Sequence, residues 1–276
     1  MTLQEQVNQL VKQQMTEWDL ANKNYSALHL VQTKTLTLNS DESVLIQFNP
    51  ARAISSLAKI DPKSIAERPC FLCKKNRPKE QKEIDFLGKY SILINPFPIL
   101  PYHITIASKT HQQQELSENS IKDMLLLSQQ LPEDIIFFNG ATAGASAPDH
   151  LHFQAGKKTD LPQSLFEPCT TRTKIIFESK NIEELTLFIS KKIRQQQEIA
   201  PDCFNLFCSW EKESWKIVFF ERKKHRPTQF FEKKIMISPG AIDMAGILIT
   251  TRNEDFQNIN SKDIIDIFQQ ISINKN

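Results

Sequence analysis

Apolar positions in residues 3–20 recur at helical spacing, with Leu3, Val7, Leu10, Val11, Met15 and Trp18 on one side of a 3.6-residue period. This pattern predicts an amphipathic N-terminal helix, packed on the body of the protein or on a partner, and makes it a candidate element of a homodimer. Residues 29–38 and 43–48 read as strands, and the turn formers Asn39, Ser40 and Asp41 between them predict a hairpin. Two further strands, 90–95 and 103–108, flank the proline-rich bend 96–101. Residues 117–131 place Ile121, Met124, Leu125 and Leu131 on one helical face, interrupted by Ser128, with Ser117 as the N-cap. A buried strand at 134–138 then leads through a small-residue turn into His150, Leu151, His152, Phe153 and Gln154, polar and apolar by turns. A period of two sets His150, His152 and Gln154 on one face and Leu151, Phe153 and Ala155 on the core face.

Residues 161–168 are proline-rich and polar, the signature of a linker. Beyond them, 173–178 reads as a strand, 182–197 as a helix, 203–210 and 215–221 as a second hairpin, and 254–273 as a terminal helical region. The second half repeats the grammar of the first without its histidines.

With 276 residues, the chain is long enough for one large domain or two modest ones. Hydrophobic residues at 40% and charged residues at 24% are ordinary for a soluble protein, and a net charge of +2 supplies no global field for nucleic acid. The N-terminus lacks a signal-peptide core, and no apolar run approaches the ~18 residues of a membrane span. A cytoplasmic protein that engages neither membrane nor nucleic acid is the expectation. Five cysteines is an odd number; Cys70 and Cys73 have ligand spacing, whereas Cys169, Cys203 and Cys208 read as core thiols. No P-loop or dinucleotide-binding glycine motif occurs, so phosphate has to be held by other means.

Two imidazoles and an amide in a row form an array of nucleophile, donor and metal-ligand candidates. Cys70 and Cys73 can bind one tetrahedral zinc ion at about 2.3 Å each, with two more ligands required. No second Cys-x-x-Cys and no closely spaced histidine pair follows nearby, which excludes a zinc finger of the usual kind. A redox pair or two core thiols are the alternatives. Arg52 and Lys59 suit phosphate oxygens, or are solvated surface cations. The basic run 222–227 is either a solvated loop or a clamp over a sugar phosphate or outgoing nucleotide. Lys157 and Lys158 either face phosphate or, as is commoner, are solvated, and His103 reads as a satisfied structural histidine.

Asn139, Gly144, Ser146, His150, His152 and Gln154 resemble, without a gap, the active-site segment of the galactose-1-phosphate uridylyltransferase branch of the histidine-triad (HIT) superfamily. The same His-x-His-x-Gln core occurs in diadenosine tetraphosphate phosphorylases and in plant GDP-L-galactose phosphorylases. The whole chain is most similar to a group of uncharacterised bacterial proteins catalogued as a domain of unknown function. This resemblance implies an α+β fold with a HIT-like antiparallel sheet and helices, in two halves: catalytic at 1–160 and degenerate at 161–276. It implies zinc held by Cys70, Cys73, His111 and His150. It casts His152 as the nucleophile, Gln154 and Ser146 as donors to the phosphoryl oxygens, and Asn139, Gly144, Arg52, Asn95 and Phe97 as substrate contacts. Gln154 in the last place goes, in this branch, with nucleotidyl transfer rather than hydrolysis. The implied substrate is a nucleoside diphosphate sugar or dinucleoside polyphosphate, and the acceptor orthophosphate or a sugar phosphate. Residues 238–246 resemble a segment of the plant phosphorylases that closes the second half against the first. A nucleotide hydrolase of the same fold competes with this reading. So does a zinc-stapled module for RNA or protein, which the near-neutral charge and lack of clustered aromatics oppose.

Overall fold

The computed structural model describes residues 1–53 and 62–273; Lys59 lies outside the described residues. β1 (Gln32–Thr37) and β2 (Ser43–Phe48) form the expected hairpin, with Gln32 opposite Phe48 and Thr37 opposite Ser43. The first half then supplies β3 (Ile84–Phe86), β4 (Tyr90–Ile94), β5 (His103–Ser108), β6 (Asp134–Asn139) and β7 (His152–Lys157). The second supplies β8 (Lys174–Ser179), β9 (Phe204–Glu211) and β10 (Ser214–Glu221). All join one eight-stranded antiparallel sheet, in the order β3-β4-β5-β7-β6-β9-β10-β8. The expected α+β, HIT-like antiparallel architecture is present, and the seam between the halves is the pairing of β6 with β9, which sets Asn139 opposite Asn205. β11 (Ile247–Thr250) runs parallel to β2 and completes a three-stranded sheet, β1-β2-β11.

Because successive strand residues point to opposite faces, the large sheet builds two cores. Ile136, Phe138, Phe153, Leu206 and Phe219 face a helical layer that contributes Val7, Val11, Met124, Leu125, Leu185 and Ile189. Their neighbours Ile135, Phe137, Phe207, Val218 and Phe220 face the small sheet and the C-terminal helix Ser261–Ile271, meeting Ile46, Leu248, Ile264 and Phe268. Leu151, Phe153 and Ala155 enter the helical core as their alternation requires, which turns His152 and Gln154 to the other face. Ser128 fits its apolar surroundings because its hydroxyl donates to Leu125 O and accepts from the Cys208 thiol.

Several elements depart from the sequence pattern, each for a local reason. The N-terminal helix ends at Glu17, a second helix, Asp19–Leu28, follows it, and the strand expected from residue 29 begins at Gln32. Asn22 Nδ2 donates to Met15 O across the corner at Trp18, supplying a partner for a carbonyl near the first helix's end. The apolar face offered as a dimer element is covered by the chain's own sheet, with Val7 and Val11 in the core. Residues 161–168 are not a free linker: Leu161 and Leu165 are buried, and Lys174 Nζ donates to Ser164 O and Leu165 O. Lys157 and Lys158 are tethered rather than solvated. Lys157 reaches Asp134 and Glu133, and Lys158 donates to Trp210 O. Among the described residues, no helix is long and apolar enough to cross a membrane.

Glu42 staples the β1–β2 turn to the second half. Its carboxylate accepts from the backbone N–H and hydroxyl groups of both Thr170 and Thr171, and pairs with Arg172 at 3.4 Å. Burial pushes the carboxyl up, but these hydrogen bonds outweigh it and hold it at about 2. A depressed carboxyl contributes stability that is present above its unfolded value near 4.3 and fades as pH falls toward 2. Glu42→Gln is therefore expected to cost about 2–3 kcal/mol at pH 7 by urea unfolding, with the deficit shrinking when the measurement is repeated at pH 3.

Candidate active site

A cavity of about 560 Å³ opens on the second face of the large sheet, and both halves of the chain line it. Its walls include every residue expected to catalyse or contact substrate: His152, Gln154, Ser146, Asn139, Gly144, Arg52, Asn95 and Phe97. Not all are equally available to a ligand. Asn95 has its oxygen on Phe97 N–H and its amide nitrogen on Thr105 Oγ1, so both ends of the amide serve the bend. Arg52 donates to Phe97 O, and burial lowers its guanidinium to about 10 against the pull of nearby Asp243.

The expected three-residue array divides. β7 begins at His152, while His150 lies in a turn closed by its own N–H on Ala147 O, and does not line the cavity. His152 is 3% exposed, and its Nδ1 lies 2.8 Å from His150 O. A carbonyl only accepts, so Nδ1 carries the proton and Nε2 keeps its lone pair. Among the described residues, Nε2 has no hydrogen-bond partner. Burial lowers the ring to about 4, which keeps it neutral near pH 7. Gln114, 1% exposed, fixes the backbone beneath it: its Oε1 accepts from His152 N, and its Nε2 donates to His152 O and Asn139 O.

Gln154 is oriented by His103. The His103 Nδ1 accepts from Ile99 N–H, so Nε2 bears the proton, and it lies 2.8 Å from Gln154 Oε1. The Gln154 oxygen must therefore face His103, which turns its NH₂ group away as a donor. Burial lowers His103 to about 3, so it stays neutral in this role. The reading of His103 as a satisfied histidine holds, and its hydrogen bonds orient the Gln154 amide on the strand that carries His152.

The turn between β6 and β7 is held from the second half. Arg222, fully buried, donates through Nη1 to Ala143 O, Asn205 Oδ1 and Pro239 O, and through Nη2 to Lys224 O and His225 O. Asn205 Nδ2 passes the network on to Asn139 Oδ1 and Ala143 O, and Ala241 N–H also donates to Asn139 Oδ1. Asn139 thus spends its oxygen on closing the halves together. Gly144 has φ +100°, and a Cβ there would lie 2.6 Å from Gly240 Cα, so only glycine fits this backbone contact. The basic run 222–227 is accordingly not simply a solvated loop: its first arginine is a buried structural cation, and His225 and Arg226 line the cavity. Gln114 and Arg222 carried no distinguishing signal, one among neighbouring glutamines and the other among cations. Asn205, set between Phe204 and Leu206 in an apolar strand, was the visible clue.

Cys70, Cys73, His111 and His150 converge, with their ligand atoms all within 4.8 Å of one another. Cys70 Sγ is 3.2 Å and Cys73 Sγ 3.6 Å from His150 Nδ1, and Cys73 Sγ is 3.3 Å from His111 Nδ1. Such separations suit ligands each about 2.0–2.3 Å from a common ion. His150 Nε2 donates to Ser108 O at 2.7 Å, which leaves Nδ1 facing the sulfurs; without a metal that nitrogen can share a proton with Cys70, and once deprotonated it offers its lone pair to a cation between them. Burial pushes the Cys70 thiol up, but His150 and the Leu72 and Cys73 N–H groups outweigh it and bring it to about 6. The donor set fits a tetrahedral metal. The segment just before and within the Cys-x-x-Cys also reaches the cavity, through Arg68, Phe71 and Leu72.

This sheet, with His152 and Gln154 on one face and the Cys2His2 cluster beside them, has the HIT-like architecture. Within that class the chain belongs to the family described as Domain of unknown function (DUF4922), which matches residues 10–157; residues 171–276 match the GDPGP1-like, C-terminal domain. No curated protein matches the sequence. Among solved structures, it is similar to yeast Ap4A phosphorylase Apa2 in complex with Ap4A, at 15% identity and TM-score 0.68, covering 99% of this chain and 98% of that one. A second Apa2 crystal structure aligns at 14% identity and TM-score 0.63, with the same coverage. The complex with AMP aligns at 14% and 0.61, covering 99% and 97%. At this identity the likeness establishes the fold.

Replacing Arg222 by Met leaves the carbonyls it gathers without their donor. The expected cost is about 3–5 kcal/mol, read from the urea midpoint at constant m value.

Proposed function

We propose that the chain transfers a nucleotidyl group from a nucleoside diphosphate sugar or dinucleoside polyphosphate to a phosphate-bearing acceptor, through a nucleotidyl-histidine on His152. The observation that carries this reading is the His152 ring: neutral, its Nδ1 proton fixed on His150 O, its Nε2 lone pair unclaimed, on a side chain that lines the cavity. The matching phosphorylase, solved with Ap4A and with AMP, supports a nucleotide as the substrate class. On this reading, residues 1–160 carry the catalytic groups and 161–276 form a degenerate second half.

In the first displacement the Nε2 pair attacks the α-phosphorus, forming an N–P bond as the bond to the leaving phosphate oxygen breaks and its electron pair departs with that oxygen. The Gln154 NH₂ group and Ser146 donate to the phosphoryl oxygens as charge builds, and the His150 carbonyl shares the positive charge that the ring acquires. In the second, an acceptor oxygen attacks the same phosphorus, and the N–P pair returns to Nε2. Cys70, Cys73, His111 and His150 would hold zinc. When bound, the ion supplies a rigid tie between the knuckle and the turn bearing the nucleophile.

Incubating the protein with a panel of nucleoside diphosphate sugars and dinucleoside polyphosphates is expected to add the mass of one nucleoside monophosphate. His152→Ala should abolish the adduct and lower turnover by about three orders of magnitude or more. Absence of an adduct with every donor, in folded protein, would overturn the covalent route. For the metal, elemental analysis is expected to find one zinc per chain. Cys73→Ser should lose it and melt about 5–10 °C lower, and an unchanged melting point in metal-free protein would refute the structural role.

A further inference from the structure

The first half gives the cavity a wall of apolar surface from Trp18, Phe71, Pro78 and Phe97, and its cations there are engaged, Arg68 with Asp149 and Arg52 with Phe97 O. The second half contributes His225, Arg226 and Ser238, and its Asp243 accepts from Gly240 and Ile249 N–H. These three are joined: Arg226 Nε donates to Ser238 Oγ at 2.9 Å, and that oxygen lies 3.0 Å from His225 Nε2. Arg226 also stacks over Phe230, its guanidinium carbon 4.1 Å from the ring centre, so the cation is held in one plane. Their place beside the catalytic turn is fixed by Arg222, whose two terminal nitrogens hold Ala143 O of that turn together with Pro239 O, Lys224 O and His225 O. The backbone contact of Gly144 with Gly240 brings the same two segments together from the other side.

We propose that His225, Arg226 and Ser238 form an anion subsite for the group exchanged at the α-phosphorus: the phosphate-bearing leaving group in the first displacement and the phosphate-bearing acceptor in the second. The proposal rests on the nucleotidyl-histidine reading. A nucleoside has apolar faces and no charge, and suits the first wall. The departing oxygen takes an electron pair with it, and a planar cation stabilises the anion that results. One subsite serves both groups because in a double displacement at one phosphorus the acceptor enters where the leaving group departed. The P–O bond that breaks in the first step has its counterpart in the P–O bond formed in the second, and the N–P bond is made and then broken.

The test uses donors that differ only in their leaving group. Wild-type protein, Arg226→Gln and Ser238→Ala are each mixed with a dinucleoside tetraphosphate and with the p-nitrophenyl ester of the same nucleoside monophosphate, and adduct formation is followed by intact mass. Release of p-nitrophenolate requires no phosphate-binding group. In Arg226→Gln, the rate ratio between the phosphate-bearing and p-nitrophenyl donors is expected to fall about 10–100-fold, the worth of one hydrogen bond to a charged group, and in Ser238→Ala by less. The KM for orphosphate as acceptor should rise in parallel, with orthophosphate added to preformed adduct. Labelling by the p-nitrophenyl donor reports that each variant is folded. Equal slowing with both donors, or an unchanged orthophosphate KM, would overturn the subsite while leaving the covalent route intact. Absence of any adduct in the wild-type protein would overturn both.

Discussion

A buried guanidinium is tolerated only where enough acceptors surround it, and Arg222 finds them in separate stretches of chain. The turn between β6 and β7, the β9 strand, the turn after β10 and the segment before β11 all give it oxygens. Each acceptor offsets part of the desolvation of the charge, so the contacts support one another. The Asn205–Asn139 link extends the network to the mouth of the turn. The first half carries His152 and Gln154, and the second holds the turn beside them.

The same division of labour runs through the sheet. One face is given to packing under the helical layer, while the other turns His152, Gln154 and the ends of β5 and β6 into the cavity. Around His152, hydrogen bonds run in a consistent direction. Gln114 holds the strand backbone, the His150 carbonyl takes one ring proton, and His103 decides which end of Gln154 faces inward. Each of these groups is neutral, so this part of the cavity wall is polarised without a charge hydrogen-bonded to the His152 ring.

How much of this could be read from the residues follows from how local each cause is. The strand placement of His152 and Gln154 needed only a period of two, the Ser117 cap only its immediate neighbours, and the Cys-x-x-Cys only its spacing. His111 and His150 reached the metal set by resemblance, because their meeting depends on β5 and the turn before β7 lying side by side. Arg222 was illegible for a different reason: a cation in the run Arg-Lys-Lys-His-Arg reads as solvated unless its acceptors, up to 79 residues away, are known. Asn139 was seen as part of the site but cast as a ligand contact, since sequence cannot tell an amide aimed at substrate from one aimed at Ala241. The helix Asp19–Leu28 is hard to read because it is short and buries only Ala21 and Tyr25 fully, and it docks through those side chains and through the bond from Tyr25 OH to His103 O.

The parallel pairing of β2 with β11 joins residues separated by about two hundred positions. Loop-closure entropy has to be met before such a contact rewards the chain, which makes it a late event in folding. During synthesis, a nascent chain that has emerged only through β7 holds His152 but leaves β6 without β9, an open, apolar edge in what will become the middle of the sheet. That interval is when the protein is most exposed to wrong pairing, and the order in which its strands leave the ribosome makes the half that carries His152 wait for the half that shelters it.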